Sequence, residues 1–422
     1  MNERDFDVVV FGATGVTGRQ VAAYLAERTS GDGPRWAAAA RDPAKLERVL
    51  GEVDVRAPET IVADLNDPDS LAAMASRARV VLNLAGPYTL HGQPVIEACV
   101  AGGAHYADLT GEIPFVRQMI DAYDARAHEA GVKVVQVCGF EALPPDLSVQ
   151  LAAETARERF DEALAEADLE ASVTGPPGMP RPSDIISGGT LQSLAAAAGA
   201  ENAAVVADPA ALISDVAMAA AVRRRSPISV APRRGTGGAV IAPMAPAAFI
   251  NPAVIHRTAA LVAAERGAPE EPFRYREGVA LAGGAATLPL RYAAAGVLSG
   301  TQAAVLAAAR ARPSVRRRVG QTLGKILPSS GFGPTGERLE RWSWRMSLAA
   351  RTTGGHEIGV SVEGDGQPGY LSTARMLGEA GLLLAESGAT PERAGCLTPA
   401  IALGTGSVGR FERARVRFSV AA

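Results

Sequence analysis

Close to its start the chain reads FDVVVFGATGVTGRQVAAYLAE, from Phe6 to Glu27. An apolar run, Val8 to Phe11, stops at Gly12; Gly15 and Gly18 follow at three-residue spacing, and apolar residues then recur at helical intervals at Val16, Val21, Ala22 and Leu25. Strand, glycine turn and helix in that order predict the first βα unit of a parallel, doubly wound sheet with a phosphate site at the helix start. Each glycine has its own task. Gly12 turns the chain off the strand, Gly15 lets backbone approach a pyrophosphate, and Gly18 lets the helix lie close on the sheet. The expected dinucleotide cradle is therefore Gly12, Ala13, Thr14, Gly15, Val16, Thr17 and Gly18. The helix offers free N–H groups and the positive end of its dipole, and Thr14 and Thr17 can add hydroxyl donors. An ordinary glycine-rich βα turn has the same letters; the correct flanks favour the nucleotide.

Further strands are expected at Trp36–Ala40, Thr60–Leu65, Val80–Leu84, His105–Leu109 and Lys133–Cys138, with helical stretches between them. That alternation argues for a Rossmann-like parallel sheet whose ligands lie outside the strands' carboxyl ends. The second strand ends at Arg41, with Lys45 one helical turn on. An acidic residue there would suit the ribose hydroxyls of NAD, whereas cations suit the extra phosphate of NADP. A hydrogen bond to a charged group contributes about 1.5–3 kcal/mol, so one Arg–phosphate pair favours NADP(H) by about ten- to a hundredfold. Arg41 followed by Asp42 and Pro43 also fits a solvated helix start. Asp64 can accept from the adenine amino group or close its own loop. After the fourth strand, Ala85, Gly86 and Pro87 let backbone pass under a ribose or nicotinamide. Tyr88, His91, Thr110, Glu112 and Glu141 collect at the same edge, which marks it as the active-site side.

Length and composition narrow the class. A chain of 422 residues with 47% hydrophobic and 21% charged residues suggests two or three globular domains. The net charge of −3 implies no nucleic-acid partner. Cys99, Cys138 and Cys396 lie far apart and make no metal-ligand spacing, and free thiols fit a reducing cytoplasm. The first strand begins within six residues, which leaves no room for a signal peptide in the sequence as read.

Three stretches, GATGVTG, Leu82–Glu112 and Cys138–Leu147, together resemble the saccharopine dehydrogenase-like oxidoreductases, and within them the bacterial trans-acting enoyl reductases. The resemblance resumes at Ser187–Ser193, Gly331–Glu337 and Pro368–Gly404. The family pattern more often has Asp where this chain has Glu141, and Ser where it has Pro145. The resemblance implies NADP(H) binding by the first domain. It also implies reduction of a carbon–carbon double bond left by a polyketide synthase that lacks its own reductase domain. An acyl-carrier or polyketide synthase partner and a lipid-like acyl substrate follow from it. That chemistry needs a stabilised enolate oxygen and a proton for the α carbon. Tyr88 is the first candidate and His91 the second, although Tyr88 could equally pack on the turn after Pro87. Glu112 could reach ribose hydroxyls or cap the helix beginning near Ile113. A non-catalytic NADP(H)-binding protein stays open as an alternative, as does saccharopine reduction itself, for which the second domain shows no obvious set of cations.

The domains expected are residues 1–147 for the nucleotide, 148–367 as an α+β substrate domain, and 368–422 as a helical segment returning to the first. Helix is expected from about Pro145 to Glu166, then a strand at Asp168–Val173, a loop at Gly175–Gly178, and an Ala-rich helix ending at Gly199. Arg341–Ala350 and His356–Val362 alternate and should form an antiparallel hairpin. Val279–Ala309 is apolar, broken by Arg291, and is followed by Arg310, Arg312, Arg316, Arg317, Arg318 and Lys325. It is too weak for a membrane span. Val279–Lys325 reads either as a peripheral membrane contact or as a buried helix followed by a solvated one; the cations could alternatively meet an acidic carrier protein.

Overall fold

A computed structural model describes residues 4–29, 33–177, 203–244, 247–267, 271–309 and 337–421, together with Ser314. The Ala-rich helix expected before Gly199, the loop end at Gly178, and the cations from Arg310 to Lys325 lie outside the described residues, as does most of Gly331–Glu337.

The first domain alternates β1 (Phe6–Phe11), α1 (Val16–Arg28), β2 (Trp36–Ala40), α2 (Pro43–Gly51), β3 (Thr60–Val62), α3 (Pro68–Arg77), β4 (Ala78–Asn83), α4 (Tyr88–Gly102), β5 (His105–Asp108), α5 (Ile113–Glu129) and β6 (Lys133–Val135). All the pairings in this sheet are parallel. Every residue of β2 is buried, as a strand covered on both faces must be. α6 (Leu143–Phe160) then crosses to the second domain. It stops six residues short of the expected Glu166 because Asp161 takes a left-handed C-cap, φ 55°. β7 (Leu164–Thr174) accordingly starts four residues before the expected Asp168.

The second domain continues with α7 (Val216–Arg225), β8 (Arg233–Arg234), β9 (Val240–Ala242), α8 (Asn251–Arg266), β10 (Arg274–Leu281), α9 (Leu288–Ala309), β11 (Ser343–Thr352) and β12 (Glu357–Asp365). The expected hairpin is β11–β12, in register from Ser343 opposite Asp365 to Arg351 opposite Glu357. β7 and β10 pair in parallel and the remaining pairs of this sheet run antiparallel.

The last segment serves both sheets. A turn of π-helix at Pro368–Ser372 leads into α10 (Thr373–Ala385), whose every residue is buried. It packs on α1 and β4 so closely that a Cβ on Gly378 would stand 2.4 Å from the Tyr24 ring, and one on Gly381 3.0 Å from Leu82. β13 (Gly395–Leu397) adds a seventh strand beside β6, and α11 (Pro399–Leu403) follows. The end of the chain departs from the expected return to the first domain: β14 (Val416–Ala421) pairs with β12 and edges the second sheet.

Candidate functional site

The turns after the first four strands meet along one edge. Gly12 N donates to Ala39 O (3.3 Å), Leu84 N to Phe11 O (2.8 Å) and Ala63 N to Ala40 O (3.2 Å). Gly12 has φ 86°, and a Cβ there would sit 2.8 Å from both Ala85 N and Leu84 C. The turn after β1 thus presses directly on Ala85. A Cβ on Gly18 would stand 2.4 Å from Gly12 O, too close for any side chain. Gly15, the N-cap of α1, is different: its Cβ would meet only Gly12 O, at an ordinary 3.5 Å. Two of the glycines are steric necessities of the turn, and the third leaves its outer side open.

The helix ends beside this turn are not alike. Asp42 caps α2, accepting from Lys45 N (3.0 Å), and Asp67 caps α3, accepting from Asp69 N (3.2 Å) and Ser70 N (3.3 Å). The first amides of α4 go to Glu112, which accepts from Tyr88 N (2.9 Å), Thr89 N (2.8 Å) and the Thr89 hydroxyl. α1 has neither a capping side chain nor an acidic residue in its first turn. Its first-turn amides, which have no intrahelical partner, therefore have no side-chain cap either, and they carry the positive end of the dipole. Thr14 and Thr17 are half-buried beside them. This is the one cradle among these four helices that an anion can enter.

Arg41 and Lys45 are exposed at the end of β2, and neither side chain pairs with a described residue. Asp64, at the neighbouring strand end, closes its own loop: it accepts from Asn66 N (2.9 Å) and Asn66 Nδ2 (3.1 Å), while its amide donates to Ser70 Oγ (3.0 Å). Gly86 is exposed and Pro87 half-buried, so this backbone faces the edge. The structure brings the cradle, Arg41, Lys45, Asp64 and Ala85–Pro87 onto one rim.

Beneath that rim lies a buried polar chain. Ala85 N donates to Asn83 Oδ1 (3.0 Å), Asn83 Nδ2 to the Tyr106 hydroxyl (3.0 Å), and that hydroxyl to Asp108 (2.8 Å). Asp108 also accepts from Thr110 N (3.0 Å) and Val137 N (3.2 Å). One carboxyl so ties together the turns after β4, β5 and β6. Burial raises its pKa to about 7, against the opposing pull of its three donors. Sequence reasoning passed over Asp108 and Asn83; the available signal was a lone carboxylate at the end of a short strand.

The structure gives partners to two residues whose roles the sequence leaves open. The Tyr88 hydroxyl donates to Asn83 O (3.0 Å) and accepts from Leu109 N (3.3 Å), and Tyr88 is 7% exposed. It forms a strut between two turns. Glu112 stands at the N-cap of α5, where its carbonyl accepts from Val116 N (3.1 Å), but its carboxylate, 2% exposed, turns to the first amides of α4 instead. His91 remains half-buried on the first turn of α4, its ring unbonded by any described residue.

The second domain closes over the ends of β5 and β6. A Cβ on Gly111 would meet Ile250 at 2.8 Å, Phe140 packs edge-on to Trp344 (4.9 Å), and Phe140 N donates to Thr373 Oγ1 (3.1 Å). Burial raises the pKa of Glu141 on that loop. Just past Ile250, Glu277 accepts from Asn251 Nδ2 (2.7 Å) and the Tyr275 hydroxyl (2.8 Å). Glu277 Oε1 and Asn251 Oδ1 are buried without a described partner, and burial pushes the Glu277 carboxyl up to about 7. This group can hold a proton at neutral pH. It was missed because its three residues are separated in sequence.

Residues 8–135 match the family described as saccharopine dehydrogenase NADP binding domain. Over 436 residues the chain is 35% identical to a Mycobacterium tuberculosis protein provisionally named a trans-acting enoyl reductase, covering 98% of this chain and 97% of that one. It is 32% identical over 431 residues to the trans-acting enoyl reductase of Mycobacterium bovis, with the same coverage. Among solved structures, a saccharopine dehydrogenase (L-Glu forming) from Saccharomyces cerevisiae aligns over 98% of this chain and 99% of its own, at 14% identity and TM-score 0.49.

Proposed function

The chain belongs to the trans-acting enoyl reductases among the saccharopine dehydrogenase-like oxidoreductases, and from that premise we propose that it uses NADPH to reduce the carbon–carbon double bond of a polyketide or fatty-acyl substrate. The observation that carries the nucleotide half is the uncapped start of α1 above a turn where Gly12 and Gly18 admit no side chain. The residues present fit NADP(H). First-turn amides of α1 would hold the pyrophosphate, Arg41 and Lys45 would hold the 2′-phosphate, and the Ala85–Pro87 backbone would line the site on its other side.

When bound, the nucleotide supplies the hydride for the β carbon. The protein's own part is placement and proton supply. The Asp108 chain and the Tyr88 strut hold the turns after β4, β5 and β6 at fixed spacing, and His91 donates the proton to the α carbon. The acyl chain arrives on a carrier of a separate polyketide synthase. We place the protein in the cytoplasm, with a peripheral membrane contact in Val279–Lys325; among the described residues no helix is long and apolar enough to cross a membrane.

The test is stopped-flow oxidation of NADPH with a series of enoyl thioesters, run in parallel with NADH. Turnover with NADPH at least tenfold above NADH supports the reading. Tight NADPH binding with no oxidation by any thioester would replace it with a non-catalytic nucleotide-binding role.

A further inference from the structure

Reduction of an enoyl thioester places negative charge on its carbonyl oxygen, which needs a hydrogen-bond donor already in position. His91 serves the α carbon, so a second group has to serve the oxygen. Most carboxyls along the edge of the first sheet are in use. Asp42 and Asp67 cap α2 and α3, and Asp64 closes its own loop. Asp108 accepts from three donors, and Glu112 holds the first amides of α4. Glu141, on the loop after β6, differs from these: no described side chain pairs with its carboxyl, which faces only its own amide.

The loop that carries Glu141 is clamped from both domains. Val137 has φ 61°, a left-handed conformation that a β-branched residue avoids. Asp108 keeps it there by accepting from its amide (3.2 Å), and Cys138 N donates to Asp108 O (2.8 Å). From the other side, Phe140 N donates to Thr373 Oγ1 (3.1 Å), and Trp344 packs edge-on to the Phe140 ring at 4.9 Å. Strain of this kind persists where the surroundings over-determine it, and it gathers at working sites. A Cβ on Gly139 would stand 3.6 Å from Glu141 Oε2, 3.0 Å from Leu109 Cδ2 and 3.2 Å from Thr373 Cγ2. The carboxyl thus shares a crevice with Leu109, whose amide meets the Tyr88 hydroxyl, and with Thr373 at the seam between the domains. Glu141 is half-buried there. Burial raises its pKa, opposed only by its own amide, and no charge on a described residue adds to the shift.

We propose that the neutral Glu141 carboxyl donates the hydrogen bond that holds the thioester oxygen during reduction, a role that rests on the NADPH-dependent enoyl reductase reading given above. As the β carbon takes the hydride with its electron pair, the alkene pair shifts toward the carbonyl and the oxygen becomes an enolate. The Glu141 proton stays on the carboxyl, hydrogen-bonded to that oxygen. His91 then protonates the α carbon and the carbonyl re-forms, so the substrate has gained a hydride and a proton while Glu141 ends as it began. An ionised carboxylate in the same place would repel the enolate. A crevice of apolar atoms supports the chemistry by keeping the carboxyl protonated, so that it can donate.

The experiment compares wild type with Glu141→Ala and Glu141→Gln by turnover of an enoyl thioester, by NADPH titration and by infrared spectroscopy. Glu141→Ala should lower kcat about a hundred- to a thousandfold, the range for one lost oxyanion donor, with NADPH affinity changed about twofold at most. Glu141→Gln keeps an N–H donor of the same reach, so its kcat should stay within about tenfold of wild type. It should also lose the fall in kcat that wild type shows as rising pH ionises the carboxyl. Below neutral pH, without substrate, the wild-type infrared spectrum should hold a neutral carboxylic acid band that Glu141→Gln lacks. Glu141→Ala turning over like wild type overturns the proposal, and so does Glu141→Gln as slow as Glu141→Ala. Absence of the band does the same, as does an NADPH affinity that falls together with kcat, which would put the carboxyl on the nucleotide. Wild-type protein that leaves NADPH unoxidised with every thioester would end the reductase reading, and this role with it; every other failure leaves wild-type turnover intact, so the two are told apart.

Discussion

The first sheet is covered on both faces and keeps its polar chemistry at one edge; the second buries one face and spreads charge over the other. Strands β1, β2 and β4 are almost wholly buried, whereas β11 alternates buried and exposed positions along all ten residues. On the open face, Arg345 pairs with Glu363 (2.6 Å), Arg351 with Glu166 (3.2 Å) and Arg276 with Asp168 (2.9 Å). The lesson lies in where an atom can be spared. At the edge of the first sheet the clearances are between backbone atoms that cannot move aside, so one added methyl should abolish a function. On the face of the second, whole charged side chains should be removable at little cost.

The largest effect expected is at Gly18. Gly18→Ala places a Cβ 2.4 Å from Gly12 O, and NADPH affinity should fall more than about a hundredfold, about 3 kcal/mol. Its counterpart is Gly359→Ala in β12, where the nearest atom to a new Cβ is Ala421 O at 3.6 Å. That variant should bind NADPH as wild type does. Fluorescence titration reads both, and equal losses would erase the contrast between the sheets.

At the same edge, His91→Ala should lower kcat by about a hundred- to ten-thousandfold, the range for loss of a general acid. Tyr88→Phe removes a strut and should instead appear as about 1 kcal/mol of lost stability with a smaller change in kcat. Steady-state kinetics together with thermal unfolding separate the two; a larger kcat loss in Tyr88→Phe would return the phenol to the chemistry.

A carboxyl buried beneath the sheets gives a prediction in pH. Asp146 accepts from the Thr258 hydroxyl (2.6 Å) and Ala400 N (2.8 Å), and burial raises it from 3.8 to about 7. A raised carboxyl pKa means that the fold favours the protonated form. Its contribution is present in full below about pH 4 and is lost as pH rises through about 7. The loss is on the order of 4 kcal/mol at about 1.4 per pH unit. Asp146→Asn cannot ionise, so its unfolding free energy should lose that component of slope between about pH 4 and 7. Urea melts across that range check it, and an unchanged slope refutes it.

Much of this was legible before any coordinates. The opening βα unit announces itself because its glycine spacing and both periodicities sit in one short window, and β11–β12 because alternation survives over two consecutive strands. β13 was not legible: three residues, Gly395–Leu397, carry no period, and only β6 beside them makes them a strand. The Asp108 chain was hidden for a related reason, since Asn83, Tyr106, Asp108 and Val137 meet only when three turns stack. Tyr88 is a different case. Its place after Pro87 leaves it open between a free phenol and packing on that turn, and only the next turn supplies the contacts of its hydroxyl with Leu109 N and Asn83 O.

Two smaller effects complete the contrast. Arg41→Ala should raise the NADPH dissociation constant about ten- to a hundredfold and leave NADH unchanged, as removal of one charged phosphate contact requires. Arg345→Ala, by contrast, breaks a cross-strand pair whose side chains are 60% and 47% exposed. Pairs so open to water contribute about 0–1 kcal/mol. Its melting temperature should therefore stay within a few degrees of wild type, and NADPH affinity and turnover should not move. A loss of several kcal/mol in this variant would mean that the open face of the second sheet is itself covered in solution, and that its charges work under the same restraint as the edge of the first.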